Sequence, residues 1–111
     1  MVFSKSYCPY CKATKKILST FLDDKVDVLN WTIVEIDLMD EKDEADIKEG
    51  LAKLTSQLTV PNIFIEYVHV GGNDDIQDLA ASGALGEIVH ELVKERIRDT
   101  RDAEHDESQS L

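Results

Sequence analysis

The chain has 111 residues, 42% of them hydrophobic and 32% charged, with two cysteines. That is enough apolar content for one small core, and too few cysteines for the multi-bridge scaffolds of small secreted domains. The 23 acidic residues outnumber the 12 basic ones, and the net charge of −11 has the wrong sign for a nucleic-acid binder.

Met1 to Ser6 reads as a short strand around Val2 and Phe3. Pro9 to Leu22 reads as a helix, because proline is tolerated at a first helical position and Ile17, Leu18, Phe21 and Leu22 form one apolar stripe. A polar connection over 23–30 leads to a second strand, Trp31 to Leu38, dense in Ile and Val. An acidic loop over 40–44 precedes a helix over 44–55, with Ile47, Leu51 and Leu54 at helical spacing. Asn62 to Glu66 is a third strand, directly after Pro61, and Tyr67 to Val70 is its hairpin partner. Asp74 to Ser82 is a short helix that Gly83 stops. Leu85 to Arg98 is the clearest helix, with Leu85, Ile88, Val89, Leu92, Val93 and Ile97 on one face. Residues 1–98 therefore form the folded domain, and 99–111 are expected to be a charged, frayed tail. Strands alternating with helices and ending in a hairpin predict an α/β fold: a mixed four-stranded sheet with helices on both faces.

The charge is unevenly placed. Residues 1–16 carry Lys5, Lys12, Lys15 and Lys16 and no acid, and both cysteines lie in that end. Cys8-Pro9-Tyr10-Cys11 spans the junction of the first strand and the first helix. Cys8 falls at the head of the helix, where unpaired N–H groups and a partial positive charge favour thiolate over thiol. The surrounding lysines add positive potential, weakened where water screens it. A free thiol titrates near ~8.5, and such surroundings lower it. Cys11 is one turn on, more buried, and placed to attack a mixed disulfide formed on Cys8. Half of a zinc site would need further ligands, yet only His69, His90 and His105 remain, without ligand spacing. A disulfide across two intervening residues would do little for stability. Thiol–disulfide chemistry is the stronger reading, and no metal is expected.

Three segments, Ser4-Lys5-Ser6-Tyr7-Cys8-Pro9-Tyr10-Cys11, Thr59-Val60-Pro61-Asn62 and Gly71-Gly72-Asn73-Asp74-Asp75, resemble the motifs of the dithiol glutaredoxins, with fungal and plant members nearest. The resemblance covers residues 1–98. It implies a thioredoxin fold with strand order 2-1-3-4, here without the helix that usually precedes the first strand. It also implies glutathione as co-substrate, with Cys8 and Cys11 as the redox pair. The Val60–Pro61 bond would be cis, leaving the Val60 backbone to pair with glutathione beside Thr59. Gly72, Asn73, Asp74 and Asp75 would hold the γ-glutamyl end: N–H groups of Asp74 and Asp75 on its carboxylate, the Asp75 side chain on its ammonium. Simple capping of the short helix by Asn73 or Asp74 is compatible with that. Lys5 would meet the glycyl carboxylate, and Tyr10 would flank the groove. Leu58 stands where the family often has a base, and Lys48 stands where a glutamine commonly reaches the same carboxylate. The hairpin turn, Glu66-Tyr67-Val68, lacks the usual glycine, which leaves its type open.

The activity implied is reduction of protein–glutathione mixed disulfides and of protein disulfides by a Cys8 thiolate. The alternative is a dimeric glutaredoxin holding a [2Fe–2S] cluster through cysteine and glutathione thiolates. The expected partners are glutathione and disulfide-bearing proteins, not nucleic acid, and the chain is expected to act as a monomer. No run approaches the roughly 18 apolar residues of a membrane span, and no secretory leader is visible. The cytoplasm is therefore expected, or an organelle or the secretory pathway if a further segment precedes Met1.

Overall fold

The apolar pair Val2-Phe3 opens the first strand, β1 (Val2–Ser4), in which Val2 and Ser4 are both buried. In the computed structural model Val2 is buried on one face of a sheet whose order is β2-β1-β3-β4. The structure describes the backbone of residues 1–110 and the side chains of residues 1–99. β1 pairs in parallel with β2 (Ile33–Glu35), Val2 opposite Ile33, and antiparallel with β3 (Asn62–Ile65), Val2 opposite Ile63. β3 pairs antiparallel with β4 (Val68–Gly71), with an irregularity of register at Ile63/Phe64.

The helices are α1 (Pro9–Leu22), α2 (Glu41–Thr55), α3 (Asn73–Ser82) and α4 (Ala84–Ser110). Leu18 of α1, Ile76 of α3, and Leu85 and Val89 of α4 close over Val2 and Ile63 as one buried cluster. α2 lies outside that cluster, packed on a 3-10 turn at Ile36–Leu38, with Leu51 and Ile36 buried. This is the mixed sheet of order 2-1-3-4 that the family resemblance implied, and among the described residues no helix precedes β1.

The differences are local. The second strand ends at Glu35 rather than Leu38, because Ile36–Leu38 turn as a 3-10 helix. The second helix begins at Glu41, three residues early, since the Asp40 carboxylate accepts from the Asp43 N–H at 2.8 Å and caps it. Leu54, expected on its apolar face, is 79% exposed. The hairpin turn is resolved by backbone angles. Glu66 and Tyr67 both have positive φ, 49° and 67°, a two-residue loop of the type I′ class built without glycine. The last helix continues beyond Arg98, where the sequence reading ended it. The charged tail expected over 99–111 falls, apart from Asp99, outside the described side chains.

Candidate active site

Cys8 is the N-cap of α1, with extended backbone angles, and Pro9 follows as the first helical residue. Its side chain is partly exposed, whereas Cys11, one turn on, is fully buried. The two thiols are free and hydrogen-bonded to each other. Burial pushes the Cys8 thiol up. The Cys11 N–H and thiol, the Tyr10 N–H and the Lys5 charge together outweigh that, and Cys8 titrates below an ordinary cysteine. Cys11 moves the other way: burial and the adjacent Cys8 raise it, against weaker lowering by hydrogen bonds from the Lys5 backbone and the Ser4 hydroxyl. The pair is thus split into a nucleophile and a thiol held in reserve.

Of the lysine cluster, Lys5 is the one whose charge acts on Cys8. Lys15 is instead paired with Glu35, and Lys12 and Lys16 lie on the exposed side of α1.

The segment that delivers Cys8 is pinned from behind. Asp37, in the 3-10 turn after β2, accepts from the Ser6 N–H at 2.9 Å and from its hydroxyl at 2.5 Å. Those two bonds hold the Asp37 carboxyl below the usual range. The Lys5 N–H reaches Cys11 Sγ at 3.5 Å, and the Cys8 N–H reaches the Lys5 carbonyl at 3.2 Å. The four residues before α1 are therefore a turn fixed at both ends.

Two grooves meet beside α1. One, of about 410 Å³, is lined by Lys5, Lys48, Leu58, Thr59 and Val60 among others. The second, of about 500 Å³, is lined by Tyr10, Thr59, Val60, Pro61, Gly72, Asn73, Asp74 and Asp75, with Gln57 common to both. The Val60–Pro61 bond is cis. Among the described residues, the Val60 N–H and C=O have no hydrogen-bond partner.

The N-cap of α3 is Gly72, so neither Asn73 nor Asp74 caps that helix. Asp75 turns back to accept from the Gly72 N–H at 2.9 Å, leaving its other carboxylate oxygen to the groove. The first N–H groups of α3 have no partner within the helix and point from its end. Gly71 has φ +127°, and a Cβ there would come within 2.1 Å of the Asp75 carboxylate, so the close approach needs glycine. The Asn73 side chain faces inward: its oxygen accepts from the buried Thr14 hydroxyl at 3.0 Å and from Gln77 at 3.2 Å, tying α3 to α1. Asn73 thus borders the groove while its amide oxygen is already engaged.

Lys48 lines the same groove as Lys5, but it is also paired with Glu44 at 2.8 Å. Any groove anion shares that lysine with a carboxylate one turn away. Tyr10 is 64% exposed at the groove wall.

The sequence reading did not single out Gln57, Asp37 or Thr14. Gln57 Nε2 donates to the Thr59 carbonyl at 3.0 Å and the Pro61 carbonyl at 2.9 Å, bridging the turn that presents Val60. A polar side chain two residues before Thr-Val-Pro was the available signal. Asp37 and Thr14 bond across 31 and 59 residues of sequence, and nothing local marks them.

Among the described residues no group of three or more His, Cys, Asp or Glu is placed to hold a metal ion, and no helix is long and apolar enough to cross a membrane.

Comparison with known proteins agrees with this geometry. The glutaredoxin family model matches residues 1–70. Glutaredoxin-1 of Saccharomyces cerevisiae is 42% identical over 92 residues, covering 83% of this chain and 80% of that protein. A glutaredoxin of Solanum lycopersicum is 42% identical over 84 residues, covering 76% of this chain and 70% of that one. Among solved structures, a buckwheat glutaredoxin–glutathione complex superposes with a TM-score of 0.69 at 33% identity, covering 82% of this chain and 76% of the other. The holo form of glutaredoxin C1 from Populus tremula x tremuloides gives 0.69 at 30% identity, covering 82% of each chain. With the fold, the split thiol pair and these relatives together, the chain belongs to the glutaredoxin family of glutathione-dependent thiol–disulfide oxidoreductases.

Proposed function

We propose that this protein reduces protein–glutathione mixed disulfides, and protein disulfides, through a thiolate on Cys8. The observation that carries the reading is the split pair: a partly exposed thiol with lowered pKa, hydrogen-bonded to a buried thiol with raised pKa. The Cys8 thiolate attacks the glutathionyl sulfur. A Cys8–glutathione bond forms, the target's sulfur–sulfur bond breaks, and the target leaves as a thiolate that takes a proton from water. The thiolate of a second glutathione then attacks the bound glutathionyl sulfur. Cys8 returns as thiolate, and glutathione disulfide departs. On a protein disulfide, Cys8 forms a mixed disulfide, and Cys11, once deprotonated, displaces the target to leave a Cys8–Cys11 bond.

Glutathione lies along both grooves. Its glycyl carboxylate meets Lys5 and Lys48, and its cysteinyl backbone pairs with Val60 between Thr59 and Pro61. Its γ-glutamyl carboxylate sits on the Asp74 and Asp75 N–H groups beside Gly72. Its ammonium takes the Asp75 carboxylate oxygen that does not bond Gly72. Tyr10 walls the groove, and Asn73 holds the α3 end to α1 rather than contacting the ligand with its oxygen. The protein acts as a monomer in a compartment supplied with reduced glutathione, for which we take the cytoplasm.

The test is deglutathionylation of a glutathionylated peptide with glutathione and its reductase. Cys8→Ser abolishes turnover, while Cys11→Ser keeps much of it, because the monothiol route needs only Cys8. Full activity in Cys8→Ser would overturn the assignment. The cluster-carrier reading instead requires visible absorption from anaerobically purified protein. We expect colourless protein.

A further inference from the structure

The reaction explains Cys8, Cys11 and the groove, but not the opposite flank of α1. There Lys12 and Lys16 are exposed and have no ion-pair partner among the described residues. They are the cations left over once Lys15 is paired with Glu35. Residues 1–22 hold no acid at all, in a chain of net charge −11. Tyr7, 65% exposed, directly precedes Cys8, whereas Tyr10 belongs to the groove wall.

The spacing is regular. Cys8, Lys12 and Lys16 are four residues apart on a helix, so each step advances about 6 Å along its axis while staying near one face. An extended strand advances about 6.6 Å every two residues, and residues two apart point to one side. A partner segment lying along α1 with its cysteine at Cys8 therefore sets its second and fourth neighbours against Lys12 and Lys16.

We propose that this face docks the protein whose cysteine is being reduced, and that it selects extended segments with Asp or Glu two and four residues from that cysteine. Tyr7 supplies apolar contact next to the sulfur, and the lysines supply the charge preference. The partner is identified by complementarity. The rest of the molecule is acidic and repels an acidic segment, so such a segment finds one attractive surface, and it leads to Cys8. The proposal rests on the thiol-exchange reading above.

The test uses glutathionylated peptides that differ only in the residues flanking cysteine. One has Asp at the second and fourth positions on both sides, one has Asn there, and one has Asp at the first and third. A small mixed disulfide of glutathione and mercaptoethanol reports the chemistry without docking. At about 50 mM salt the second-and-fourth Asp peptide should exceed the Asn peptide roughly five-fold in kcat/KM, and the advantage should vanish near 0.5 M salt. The first-and-third peptide should gain less than about two-fold, because its charges face away. The double variant Lys12→Gln, Lys16→Gln should turn over the small disulfide normally and lose the peptide preference. A preference that survives in the variant, or equal rates for all three peptides on the wild type, overturns the docking face. Failure of the wild type on the small disulfide overturns the underlying reading instead.

Discussion

At the scale of single residues, the chemistry turns on a difference between two identical side chains. Cys8 and Cys11 are three residues apart, yet one is partly exposed at a helix end and the other is fully buried behind it. Desolvation acts against ionisation at both. At Cys8 alone it is overcome, because two N–H groups, a thiol and the Lys5 ammonium converge on the sulfur. The pH dependence follows in sign. A lowered thiol pKa means that at any given pH more of Cys8 is thiolate than of a free cysteine, and reactivity falls as pH drops through that value. Alkylation of Cys8 by iodoacetamide should therefore reach its half-maximal rate below the ~8.5 of free cysteine. Cys11→Ala removes the thiol donor and should shift that midpoint upward, while Cys11→Ser, which keeps a donor, should shift it less. A Cys8 midpoint at the free-cysteine value in the wild type would sink the argument.

At the scale of elements, the site is assembled from ends and turns. Gln57 shows how: it leaves the end of α2, crosses under the turn and bonds the carbonyls on either side of Val60. Gln57→Ala removes both bonds, each worth about 0.5–1.5 kcal/mol. We expect KM for glutathione to rise several-fold with little change in kcat, because what is lost is the orientation of the binding backbone rather than the thiolate. Steady-state kinetics with varied glutathione checks the split. The elements themselves were legible in the sequence wherever periodicity was strong, as in α1 and α4; alternation of helix and strand gave a mixed sheet, and the family resemblance implied its strand order. Boundaries were less so. Ile36 and Leu38 look like strand, but Asp37 is drawn into bonding Ser6, and the chain turns there. The turn at Glu66-Tyr67 was unreadable because neither residue favours positive φ. The hairpin register around it imposes the conformation. In the candidate site, residues carried by local motifs could be named in advance, whereas Thr14 and Asp37 act across distances that only folding brings together.

At the scale of the whole molecule, the excess of acid is a repulsive load. Six ion pairs join described side chains, and three of them join two exposed partners one helical turn apart, whose contribution is small and screened by salt. Net self-repulsion dominates at a charge of −11. Added salt should therefore stabilise the fold. Raising NaCl from about 10 mM to about 0.3 M shortens the screening length from roughly 30 Å to under 10 Å, and the melting temperature should rise by a few degrees. A falling melting temperature in a thermal scan would show that the ion pairs outweigh the repulsion. The bond between Thr14 and Asn73 has a consequence at this scale as well. It fastens the helix that carries the nucleophile to the helix end that receives an anion, so the two share one frame. The site behaves as a gauge with fixed stops: a ligand's own length, measured from its charged end to its sulfur, decides whether it reacts.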